Sequence, residues 1–275
     1  MIAARWFDLG CTDPLTFHAT YAGIAAARAN DRLPAVVWGR VGAHVCLGQS
    51  QGMCELADAL DIPVLRRPLG GGAVWVDEMQ LSYALIAPLD AVPLRHTAWY
   101  EWALAPAIET FRSFGLAVER HAEDLWLEGR KIAGSGAATI GRSAVFASSF
   151  LLRFPRARFA RAIAAASEGF HARLVETLGM AMTDWAEQGE VPEESSLKAA
   201  FQCALGKRLG WCPSEGVIDR AEGDEIRDWR RELNEPIESG IRRVPAGIKL
   251  NAALTLAVAG GVPVLSRREF AGEAA

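Results

Sequence analysis

Cysteine and histidine are scarce and scattered. The chain has 275 residues with five cysteines and five histidines, and no two cysteines form a Cys-x-x-Cys pair. An odd, dispersed set argues against a disulfide framework and a zinc site and fits a reducing compartment. The histidines show no metal-ligand spacing either. Positive charge is also in deficit, with a formal net charge of −4. That argues against a broad nucleic-acid surface, and no alternation of aromatic and basic residues suggests a single-strand platform. The N-terminus lacks a charged region followed by an apolar core and a cleavage site, so a cytoplasmic location is expected. No apolar run is long enough for a bilayer: Leu250 to Leu265 is broken by Gly260-Gly261 and Pro263 and reads as two strands and a turn, so no membrane partner is expected.

What the chain does have is glycine beside basic residues. Arg66-Arg67-Pro68-Leu69-Gly70-Gly71-Gly72-Ala73-Val74 is followed about sixty residues later by Gly129-Arg130-Lys131-Ile132-Ala133-Gly134-Ser135-Gly136. Consecutive glycines let backbone N–H groups approach an anion closely, and the arginines add permanently charged forks. The two segments, read as loops, describe an anion site. The second is not a dinucleotide fingerprint, because position 139 is Thr139, and not a phosphate loop of the Walker type, because Lys131 precedes the glycines.

Half of the residues are hydrophobic, enough for one large core, or one core with a small appendage. The apolar pattern predicts a first strand at Trp6–Leu9 and an alanine-rich helix over Pro14–Asn30. Val36–Trp38 and His44–Gly48 read as a hairpin, and Leu81–Ala87 as a buried strand. A helix over Thr97–Phe114 is bent by Pro106. Strands are expected at Leu116–Glu119, Leu125–Leu127 and Ala144–Phe154, and helices at Arg158–Ala166 and Ser195–Leu209. Glu187–Glu194 reads as a loop, and Asp219–Glu238 as a helix leading into an Ala246–Leu265 hairpin. The order favours an α+β fold with a mixed β-sheet and helices packed against one face. Residues 1–215 form the expected catalytic domain and 216–275 a small C-terminal appendage of helix and hairpin. The nine tryptophans are expected in the core.

The Arg-Arg-x-x-Gly-Gly-Gly-Ala-Val pattern, followed by Asp124-Leu125-Trp126-Leu127-Glu128-Gly129-Arg130-Lys131-Ile132-Ala133-Gly134-Ser135, resembles the biotin/lipoate protein ligase and octanoyltransferase superfamily, above all lipoate-protein ligases. The resemblance covers roughly Trp6 to Gly210. It implies a catalytic domain similar to the core of class II aminoacyl-tRNA synthetases. It also implies a reaction in which ATP with Mg2+ activates lipoate or octanoate as an acyl-adenylate, and a lysine of a lipoyl-acceptor protein domain takes the acyl group. By resemblance Lys131 is the catalytic cation. Arg66 and Arg67 serve the phosphate and order the loop, one of them structurally, while Gly70, Gly71, Gly72 and Ala73 give close backbone approach. Asp124 orients Lys131 or holds magnesium, and Gly134 and Ser135 contact the adenylate. Gln49 is a weaker candidate.

The chain departs from the pattern in two places. Many relatives carry a histidine after the triple glycine, where this chain reads Trp75-Val76-Asp77. They also carry a His-His-Gly-Thr run, where it reads Phe146-Ala147-Ser148-Ser149. Cysteine-dependent transferases of the superfamily place a nucleophile near Glu119–Glu123, where this chain has none, leaving Cys46 and Cys54 as the thiols to consider. An ATP-independent octanoyl or lipoyl transferase using acyl carrier protein, and a non-catalytic acyl- or nucleotide-binding relative, stay open beside the ligase. An accessory ligase subunit is a further partner the resemblance allows. Arg153, Arg156, Arg158 and Arg161 could steer an acidic acceptor.

Overall fold

The computed structural model describes residues 1–27, 33–95, 98–251 and 253–267. An eight-stranded mixed sheet carries the fold, in the order β11-β1-β2-β6-β10-β9-β8-β7. Its strands are β1 (Ile2–Thr12), β2 (Ala35–Val41), β6 (Gln80–Pro88), β7 (Glu119–His121), β8 (Asp124–Leu127), β9 (Arg130–Ile140), β10 (Ser143–Leu151) and β11 (Trp211–Glu215). The β1 pairs with β2 and β11 are parallel, and the β2–β6–β10–β9–β8–β7 ladder is antiparallel.

Helices cover both faces, a correction to the expectation of one. Strand residues alternate between faces. Val36, Trp38, Leu81, Tyr83, Leu85 and Phe150 point to one side, where they meet α2 (Trp99–Ser113) and α6 (Glu194–Leu209) through Ala103, Leu104, Phe111, Leu197 and Phe201. Val37, Ala84, Ile86 and Val145 point to the other, onto Phe17, Tyr21 and Ile24 of α1 (Pro14–Ala27). Each fully buried large apolar side chain contributes about 1.5–3 kcal/mol. Asp13 caps α1, its carboxylate accepting the Thr16 N–H at 2.9 Å just before Pro14. Residues 28–30 of the helix read from the sequence, and Thr97 of the next one, lie outside the described residues.

A second layer flanks this sheet. Here β3 (His44–Leu47) pairs parallel with β4 (Val64–Arg66) and antiparallel with β5 (Val74–Val76). The expected β2–β3 hairpin is therefore absent among the described residues: the chain leaves one sheet at Val41 and enters another at His44. The expected C-terminal hairpin forms from β13 (Leu254–Ala259) and β14 (Val262–Arg267), and β12 (Gly247–Lys249) adds a third strand beside β13. Ile248, Leu254 and Leu256 share a core with Val45, Leu47 and Trp75, with Phe159 of α3 (Arg156–Ala162), and with Leu174 and Leu178 of α4 (Phe170–Ala181). The short α5 (Trp185–Gln188) lies partly within the expected Glu187–Glu194 loop.

The last long helix, α7 (Arg220–Leu233), starts with a capping box between Asp219 and Glu222, and Glu222 also takes Arg5 at 2.6 Å. It packs on α1 so closely that a Cβ on Gly23 would meet the Ile226 backbone nitrogen at 2.6 Å. No helix among the described residues is long and apolar enough to cross a membrane.

Candidate active site

The lysine segment read as a loop is in fact a β-hairpin. Glu128 and Gly129, both at positive φ (50° and 76°), make a two-residue turn between β8 and β9. The register then slips: Leu125 faces Ala133, but Trp126 faces Lys131, so β9 holds one extra residue. In a regular strand residues 131 and 134 would point to opposite faces. The bulge re-aims Lys131 across Gly134 toward Asp124, which stands opposite Gly134 in the ladder. Lys131 Nζ lies 2.8 Å from Asp124 Oδ1, with the two side chains 13 % and 3 % exposed. A Cβ on Gly134 would stand 2.7 Å from that Nζ, so the glycine clears the lysine's path. The Lys131 carbonyl accepts the Thr183 N–H at 2.8 Å, which ties the bulge to the segment after α4.

The triple-glycine segment is built around Arg67. The buried guanidinium donates to the carbonyls of Gly70 and Gly72 at 2.9 Å and of Cys46 at 3.0 Å. A Cβ on Gly71 (φ +103°) would strike Arg67 Nη2 at 2.7 Å, and one on Gly48 would collide with the Gly71 carbonyl oxygen. Arg67 thus folds the loop, while its neighbour Arg66 is exposed on β4 and does not line the cavity between the two segments.

That cavity has a volume of about 180 Å³. Of the residues singled out from sequence, Arg67, Gly71, Gly72, Ala73, Asp124, Lys131, Gly134 and Ser135 line it, whereas Arg66 and Gly70 do not. Phe17, Leu69, Trp75, Leu151, Phe154 and Met182 supply an apolar wall. The polar end gathers Lys131, Asp124, Glu123 and Lys249. Lys249 pairs with Glu123 at 2.9 Å. Burial raises the Glu123 pKa, but the Lys249 hydrogen bond and the Lys249 and Lys131 charges outweigh it and hold the carboxyl below its ordinary value. Such a space suits an amphiphilic acid, with the carboxylate at the lysines and the chain along the apolar wall.

Sequence reading missed Lys249, Asn251 and Arg243, which enter the wall from residues 216–275. Nothing local marks them, because only tertiary packing carries that segment back. It also missed the meeting of His18, His44 and Cys46, whose ligand atoms lie within 4.8 Å of one another although the sequence shows no metal-ligand spacing. At the positions of the absent histidines, Trp75 Nε1 donates to Asp77 at 2.7 Å and Ser149 Oγ to Gln80 Oε1 at 2.9 Å, so a different polar lattice fills the space. Ser148 Oγ bonds the Gly134 carbonyl at 2.8 Å and braces the lysine strand. Gln49 is exposed.

Solved structures give the fold's relatives. A chain of the bi-partite lipoate protein ligase and its E2 lipoyl domain from Thermoplasma acidophilum is similar, with TM-score 0.78, 17 % identity, and coverage of 89 % of this chain and 99 % of that one. Lipoate-protein ligase A bound with ATP follows at 0.70, 16 %, 84 % and 95 %. P. falciparum LipL1 in complex with lipoate gives 0.63, 12 %, 93 % and 82 %. At these identities the likeness speaks for the fold. No protein of curated function matches the sequence. A family model described as the lipoyl protein ligase A/B catalytic domain matches residues 31–205, most of the chain and both glycine segments. The chain belongs to the lipoyl protein ligase A/B catalytic-domain family.

Proposed function

We propose that this chain is an ATP-dependent, AMP-forming lipoate-protein ligase. Lipoate or octanoate lies with its chain on the apolar wall and its carboxylate at Lys131. A carboxylate oxygen attacks the α-phosphorus of ATP, pyrophosphate leaves, and the acyl-adenylate forms. The amine of an acceptor-domain lysine then attacks the acyl carbonyl and AMP departs. Residues 1–215 carry the chemistry, and 216–275 add Lys249 to the wall.

The observation that carries the reading is the Lys131 ammonium, aimed by a bulge and a Cβ-free Gly134 into the polar end of a mainly apolar cavity. An ammonium there neutralises charge on the reacting carboxylate and phosphate in both half-reactions, an effect worth about 2.7–4 kcal/mol for a preorganised donor. Asp124 is a positioning residue, holding Nζ where the charge develops. Arg67 sets the glycine loop, whose N–H groups at Gly71, Gly72 and Ala73 approach the nucleotide, and Ser135 and Gly134 line its other side. ATP use is supported by the family and by the ATP-bound relative's fold. Magnesium does not fit as a resident ion on Asp124 and Glu123, since each carboxylate is already engaged by a lysine. It arrives with the nucleotide, held by phosphates and water.

The partner is a lipoyl-acceptor domain, as in the archaeal relative's bi-partite system, and an accessory subunit is compatible with that precedent. Exposed Arg153, Arg158 and Arg161 offer it positive charge, while Arg156 is tied to Glu187. One observation favours the carrier-dependent transferase as a second reading: Cys46 lines the same cavity, with His18 Nε2 at 3.7 Å. Burial pushes the Cys46 thiol up, which works against it as a nucleophile. Lipoate-dependent release of pyrophosphate from ATP tests the ligase. Its absence with lipoate and octanoate, in a folded preparation, contradicts this proposal.

A further inference from the structure

The meeting of α1 with β3 holds three soft or borderline donors that the ligase reaction leaves unused. His18, His44 and Cys46 are 6 %, 0 % and 1 % exposed, and their ligand atoms lie within 4.8 Å of one another. His18 Nδ1 is bonded to the Tyr21 hydroxyl at 2.9 Å, and Nε2 faces Cys46 Sγ at 3.7 Å. His44 Nδ1 donates to the Gly42 carbonyl at 2.8 Å. That bond fixes the tautomer with the lone pair on Nε2, which is buried with no hydrogen-bond partner among the described residues. A ring nitrogen held by a carbonyl while the other stands bare is how imidazole is prepared for a metal. A buried lone pair left bare carries a desolvation cost that a bound metal ion would relieve.

We propose that His18, His44 and Cys46 form a binding site for a soft monovalent cation, Cu(I). The choice of charge follows from Arg67, whose Nη1 lies 3.6 Å from Cys46 Sγ. On binding, the Cys46 S–H releases its proton to solvent and the thiolate joins the ion, with no change of oxidation state. A thiolate, two neutral imidazoles and Cu(I) sum to zero beside the fixed guanidinium. A divalent ion would leave a net positive charge next to Arg67 in a dry environment, a poor arrangement. Three donors, with no fourth His, Cys, Asp or Glu joining them among the described residues, also suit Cu(I) better than structural zinc, which is held by four.

The test uses the full chain, reduced and anaerobic, with Cys11, Cys54, Cys203 and Cys212 changed to Ser so that Cys46 is the remaining thiol. Cu(I) is supplied as its bicinchoninate complex, and transfer is read from loss of the chelator colour. One equivalent should be taken up, and X-ray absorption of the loaded protein should show one sulfur and two imidazole nitrogens. Cys46→Ala and His44→Gln should each weaken binding at least roughly 100-fold. No uptake, uptake unaltered in Cys46→Ala, a spectrum without imidazole donors, or preferential retention of Zn2+ in competition would each overturn the site. Should either variant fail to fold, the absorption spectrum of the four-serine protein decides alone.

Discussion

Replacing Gly134 by Ala adds one methyl group and separates the chemistry of this site from its stability. The new Cβ would stand 2.7 Å from Lys131 Nζ and 2.9 Å from Lys131 Cε, and 3.7 Å from Asp124 Oδ1. Ordinary contact begins at about 3.4 Å, so the ammonium must retreat by roughly 0.7 Å. The atoms that yield are the far end of a flexible side chain, and Gly134 is not among the positive-φ glycines, so the backbone accommodates Ala. A Gly→Ala change at a compatible position gains about 0.4–1 kcal/mol through the unfolded chain, which offsets part of the weakened Lys131–Asp124 pair. Net stability should stay within about 1 kcal/mol of the parent. Catalysis should not be spared, because a misplacement of about 1 Å costs on the order of 100-fold. The assay is lipoate-dependent pyrophosphate release beside a thermal melt. A folded Gly134→Ala protein with activity within about threefold of the parent refutes the positional argument for Lys131.

Other outcomes follow from the same geometry. Lys131→Met should lower acyl activation by about 10²–10³-fold and destabilise the fold by about 1–3 kcal/mol, since buried Asp124 loses its ammonium. The Lys131→Met/Asp124→Asn double variant should recover stability in urea titration but not activity. Arg67→Met should lower both stability and activity through three stranded carbonyls, whereas exposed Arg66→Ala should leave the melting temperature nearly unchanged. For Glu187, burial raises the pKa but hydrogen bonds from Arg156, Thr183 and Arg130 and the Arg156 charge prevail, so its folded pKa lies below the ordinary 4.5. Its contribution is therefore present above pH 4.5 and lost as pH falls through the folded value, and Glu187→Gln should flatten the stability–pH curve in that acid window.

Residues with local signatures were legible in the sequence. The α1 and α6 helices and the core strands β6 and β10 follow from apolar patterning and glycine or aspartate boundaries, and the two glycine segments drew attention to residues that line the cavity. Helix α4 went unread because its start, Gly169 at positive φ, offers no side-chain cap and Gly179 interrupts it, although Phe170, Leu174 and Leu178 recur at helical spacing. The β2–β3 hairpin was misread for another reason. Two strands joined by a short turn usually pair, but β3 instead pairs in parallel with β4, a contact no local pattern encodes. The bulge that aims Lys131 exists only in the register of β8 against β9. Likewise, His18 meets Cys46, and Lys249 meets Glu123, only once α1 and β12 are docked.

The central claim is most directly tested by intact-mass analysis of a lipoyl-acceptor domain incubated with this protein and lipoate or octanoate, with and without ATP and magnesium, beside a reaction supplied with octanoyl carrier protein. The ligase account predicts a gain of one acyl group that requires ATP and disappears in Lys131→Met. A gain from the acyl carrier without ATP, or none under either condition from a folded protein, contradicts it.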